Sequence, residues 1–112
     1  MARYPISFDD GAMTFPEEEL PEADESAHAV VRESQEASVR VFGGGLERQR
    51  ASVVAIDGTV TDGPYPETKA VLGGFSVIDV ASCEGALRWA AELAAACRCA
   101  QEVREVLPDP TP

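Results

Sequence analysis

Basic residues are scarce in this chain. Nine lysines and arginines stand against twenty aspartates and glutamates, a formal net charge of −11 over 112 residues. A polyanion binder replaces counterions with its own cations, and this balance supplies no such field, so neither nucleic acid nor an anionic membrane surface is an expected partner. Long hydrophobic runs are also missing, and nothing approaches the ~20 apolar residues of a membrane span. The first ten residues lack the apolar core of a signal peptide and turn acidic at Asp9 and Asp10. A cytoplasmic protein is therefore expected. Cysteine is sparse and odd in number, which suits a reducing compartment better than a disulfide framework. Cys97 and Cys99 stand two apart with only Cys83 and His28 left to recruit, so ordinary buried cysteine is expected there rather than a four-ligand metal site. The Walker pattern, the GxSxG elbow and HExxH are all absent, and no cofactor is expected.

What is present reads as one small globular domain over residues 1–106 with a loose, proline-rich tail at 107–112. Apolar residues make up 45% of the chain, ordinary for a folded domain. A core built from so short a chain is marginal, so a partner surface helps stability.

Tyr4, Ile6 and Phe8 alternate with Pro5 and Ser7, the period of a strand with one buried face. Pro5 has no N–H, so this strand sits at an edge or aims that position away from a neighbour. Residues 11–21 form a connection with one helical turn near 16–20. Leu20, Ala23, Ala27, Val30, Val31 and Ser34 recur at helical spacing and predict a helix over 22–37. Residues 39–42 read as a strand running into Gly43, Gly44 and Gly45, where a bulge or a close backbone approach is expected, with the glycines flooring a cavity. Strands at 52–56 and 59–62 flank Asp57-Gly58, the signal of a two-residue hairpin loop. A strand at 75–80 carries Phe75, Val77 and Asp79 on one face. Ser82 caps a helix over 83–96 with an inward stripe of Ala86, Leu87, Ala90, Leu93, Ala94 and Cys97. Residues 101–106 alternate as a last strand. With the hairpin set aside, the order is the α+β ferredoxin-like βαββαβ arrangement. Two helices cover one face of such a sheet. The other face is left bare, and a second copy packed sheet to sheet would cover it.

Asp62-Gly63-Pro64-Tyr65-Pro66-Glu67-Thr68-Lys69, followed by Leu72-Gly73-Gly74-Phe75, resembles the signature of the DGPF proteins, a branch of the YCII-related family. Ile78-Asp79-Val80, then 86–91, then 102–106, follow in the order such proteins show. Gly43-Gly44-Gly45-Leu46 sits where the family has a glycine-rich strand end, and Ala27-His28 resembles a helix histidine found in part of it. Tyr65 stands where phenylalanine is usual, and Pro5 departs from the apolar residue expected in the first strand. The resemblance implies a dimeric α/β barrel, a homodimer with one cavity per subunit. Relatives of that architecture include muconolactone isomerase, antibiotic monooxygenases and a dehalogenase of hydroxylated aromatics, which implies a small aromatic or phenolic ligand. Members of the DGPF group are often encoded beside alternative sigma factors, which implies a non-catalytic regulatory or ligand-binding role as the alternative to an enzyme.

His28, the single histidine, is the natural proton-transfer residue near neutral pH. It lies at the rim of the apolar stripe, where it faces a cavity mouth or solvent. Asp62 and Glu36 are the acids that would orient it. Tyr65, Glu67 and Lys69, on the signature loop, and Gly44 are the candidate ligand-binding residues. Read structurally, Asp62 instead caps its own turn, and Glu67 and Lys69 form a weak local ion pair.

Overall fold

β5 (Leu72–Val80) is the axis of the molecule. It lies between β1 (Ala2–Asp9) and β2 (Arg40–Gly45), and the short β6 (Glu102–Val103) closes the far side, giving the antiparallel order β2-β5-β1-β6. With the hairpin strands omitted, this is the strand order of a ferredoxin-like sheet. The structure, a computed structural model, describes residues 2–9, 14–46, 51–63 and 72–108. Tyr65, Glu67, Lys69 and the tail beyond 108 lie outside these residues.

The period of two seen in the sequence is what buries one face. Tyr4 and Ile6 of β1 meet Ile78 and Val80 of β5 and are sealed by Ala86, Ala90 and Leu93 of α2 (Cys83–Cys97). Ile6 and Ile78 are fully buried, each contributing about 1.5–3 kcal/mol of apolar transfer. Val30 of α1 (Leu20–Glu36) and Trp89 of α2 pack against the rim of this cluster. α2 starts at Ser82, whose hydroxyl accepts from the Gly85 N–H at 3.2 Å. It ends where Arg98 turns left-handed at φ 59°. α1 begins two residues earlier than its apolar stripe predicts. A 3-10 turn at Glu17–Glu19 leads straight into it, and Pro21 is tolerated in the first turn, where no N–H is needed.

Three expectations are corrected. β1 is an interior strand. Pro5 instead aims its missing donor at β6: its carbonyl accepts from the Arg104 N–H at 3.1 Å, and no N–H can answer. Paired strand in β6 is accordingly only two residues long, although the Val106 N–H still reaches the Arg3 carbonyl at 2.9 Å. Of the bulge or close backbone approach expected at the three glycines, the close approach is found at Gly43, and the bulge lies before them. Gly43, Gly44 and Gly45 pair regularly with Ser76, Phe75 and Gly74, while Val41 is the extra residue between Arg40 and Phe42. Finally, the hairpin of β3 (Ser52–Val54) and β4 (Val60–Asp62) turns through three residues, not two. The Ala55 N–H donates to the Thr59 carbonyl at 2.8 Å and the Gly58 N–H to the Ala55 carbonyl at 2.9 Å. Gly58 alone takes positive φ, at 89°. A type I turn closed by a left-handed glycine needs only that one special residue, and Asp57 keeps an ordinary φ by accepting the Thr59 N–H at 2.9 Å.

Among the described residues no helix or strand covers the face of the main sheet away from the helices. Phe42 is 58% exposed there, its ring edge-on to Phe75 with centroids 5.4 Å apart. The shortest dimension of the molecule is 19 Å, room for one sheet and one helix layer.

Candidate functional site

A cavity of about 230 Å³ opens between the two helices and the sheet. Its apolar walls are Ile6 and Phe8 of β1, Val31 of α1 and Leu93 of α2. The polar groups facing it are Asp24 and His28 from α1, Arg40 from β2, Ser76 from β5, and Cys97 and Gln101 at the end of α2 and beyond. Apolar walls with a few convergent polar groups are the usual make-up of a small-molecule site. A dry cavity of about 150 Å³ holds benzene, so this one suits a single ring with one or two substituents.

His28 is exposed at the mouth of this cavity. Its Nδ1 lies 2.8 Å from the Asp24 carbonyl oxygen. A carbonyl only accepts, so Nδ1 carries the proton and Nε2 of the neutral ring is left as a proton acceptor. The group orienting the ring is thus backbone, a partner that residue-type reasoning does not find. Glu36 sits eight residues further along α1, about 12 Å by helical rise, and is not part of the lining. Asp62 pairs with Ser52 in the hairpin and is exposed. The described residues do not bring it beside His28. Gly44 does line the cavity, and the direction of its absent side chain opens onto empty space.

Arg40 is the member that the sequence reading missed. Residues 40 and 42 of a regular strand share a face. The bulge at Val41 separates them: Phe42 joins Val77 and Phe75 on the bare side, and Arg40 lies over Ile78 and turns toward the helices. Its Nη1 donates to the Ser76 hydroxyl at 3.0 Å. Gly43 makes room for this path, because a Cβ there would stand 2.8 Å from Arg40 Nη2 and 2.4 Å from the Phe75 carbonyl oxygen. Burial lowers the Arg40 pKa from its ordinary value, yet a guanidinium remains charged. The available signal was a lone cation opening a β-branched, glycine-ended strand.

Cys97 is buried, and its thiol pKa is raised by that burial, then by Cys99 and Asp24. It contributes a small apolar surface rather than a thiolate nucleophile. Among the described residues no cluster of three or more His, Cys, Asp or Glu side chains forms a metal site, and no helix is long and apolar enough to cross a membrane.

The family model of the YCII-related domain matches residues 22–108. This span includes α2, all but the first two residues of α1, the hairpin and every polar group named at the cavity. No curated protein matches the chain.

Proposed function

The chain belongs to the YCII-related family, and on that premise we propose that it binds a small phenolic or enolisable compound between its helices and sheet and moves a proton with His28. The supporting observation is the histidine itself: it lines the cavity with Nδ1 held by the Asp24 carbonyl, so Nε2 is free to take a proton from a ligand. Arg40 and the Ser76 hydroxyl offer hydrogen bonds to the negative charge that develops on an enolate or phenolate. No cofactor is needed for such a transfer. Tyr65, Glu67 and Lys69 remain candidate rim residues on the loop after the hairpin.

The bare sheet face supports a homodimer. Phe42, Phe75, Val77 and Pro5 form an apolar patch there, and Asp79 on the same face keeps Oδ1 buried without a partner among the described residues. A second copy packed sheet to sheet covers the first and supplies donors for the second.

A screen of phenols, quinones and lactones by thermal shift tests the binding, and turnover of any hit tests the chemistry. His28→Gln and His28→Ala are expected to lower turnover about 10²–10⁴-fold with binding kept. Unchanged turnover in these variants eliminates His28 as the base, whereas a hit that the native protein binds without turning over leaves the non-catalytic ligand-binding reading.

A further inference from the structure

Acidic residues outnumber basic ones by twenty to nine, yet among the described residues only Arg98 and Arg104 form ion pairs, and Arg3, Arg32, Arg40 and Arg88 form none. Arg98 pairs with Glu19 and, at 3.6 Å, with Glu22, and Arg104 pairs with Glu102 at 2.7 Å. Arg40 is built differently. A bulge turns it inward, a glycine clears its path, and its hydrogen-bond partner is a neutral hydroxyl. Among the described residues no carboxylate lies within ion-pair distance of it. A half-buried guanidinium is costly when left uncompensated, and it carries five N–H donors in a fixed fork, of which, among the described residues, Ser76 takes one.

We infer that the cavity selects a small carboxylate, whose two oxygens sit on the Arg40 fork while the rest of the molecule extends between the apolar walls toward His28. This rests on the reading of the cavity as a ligand site and adds the class of ligand. A planar carboxylate matches the fork in two parallel hydrogen bonds. The volume admits one ring beside it, and Asp24 in the lining opposes a second negative charge, which disfavours phosphate. Arg40 is therefore the specificity residue, and the acid–base work is left to the opposite wall. A carboxylate held there places an adjacent phenol or an α-carbon nearer the α1 side, where the histidine stands.

The test compares benzoate with benzamide, which differ in charge and hardly in shape, by isothermal titration against the full chain. Benzoate is expected to bind about tenfold tighter or more. It is also expected to shift the Arg40 Nε–H resonance, which benzamide leaves in place. Arg40→Met is expected to reduce the preference to less than about twofold. Arg40→Lys is expected to keep part of it, since a point charge without the fork remains. Equal binding of the two probes, or a preference that survives Arg40→Met, overturns the carboxylate assignment while leaving the cavity a ligand site. Binding of neither probe, together with failure of the phenol screen, overturns both. If Arg40→Met does not fold, the Arg40 Nε–H shift in the native protein decides.

Discussion

Neighbouring residues of β5 live in different surroundings. Ser76, Ile78 and Val80 are buried beneath the helices, while Phe75, Val77 and Asp79, one step away on the same strand, are only partly covered. The two sides differ in what each does for the molecule. The covered side holds the core and one wall of the cavity. The bare side carries aromatic and β-branched groups of the kind that form interfaces, with two helices already committed to the opposite face. Among the described residues no helix or strand forms a third layer on the bare side.

Substitutions on the two sides of β5 sharpen that contrast. Ile78→Ala is expected to destabilise the fold by about 2–5 kcal/mol in denaturant titration, through lost burial and the cavity left behind. Val77→Arg, one residue away, is expected to leave the unfolding midpoint of the monomer nearly unchanged and to weaken self-association at least about tenfold by sedimentation. A loss of fold by Val77→Arg, or a native protein that sediments as a monomer at micromolar concentration, breaks the comparison. Gly43→Ala probes the seam between the sides. Its Cβ would press on the Phe75 backbone, so a cost of about 1–3 kcal/mol is expected, with the Arg40 side chain displaced.

The smallest effect is predicted for the hairpin. Hydrogen bonds from Thr59 hold the Asp57 carboxyl below its ordinary pKa. A depressed folded-state pKa contributes stability that is present above the unfolded value, about 3.9, and is lost as pH falls through the folded one. Amide exchange at Ala55 and Thr59 should therefore quicken, relative to the core, only below about pH 4. Asp57→Asn should remove that acid dependence.

Much of the fold was legible because binary pattern and turn chemistry agree along this chain. Tyr4, Ile6 and Phe8 announced β1, Ser82 announced the start of α2, and the order of elements led to a ferredoxin-like sheet. The site was harder to read, for a physical reason. Its key cation reaches the cavity through a one-residue register slip at Val41, and a slip leaves no mark on composition or period. His28 was visible as a type of residue. Its orienting partner was not, since a main-chain carbonyl is present at every position and marks none. Asp62 was paired with His28 on chemical type alone; it pairs with Ser52 in the hairpin and is not part of the cavity lining.

Pro5 has an effect beyond its own strand. By withholding one donor from β6, it keeps the outermost ladder to two paired residues. An outer strand this short is a poor template for an incoming chain, so this edge of the sheet resists the sideways growth that leads to fibrils.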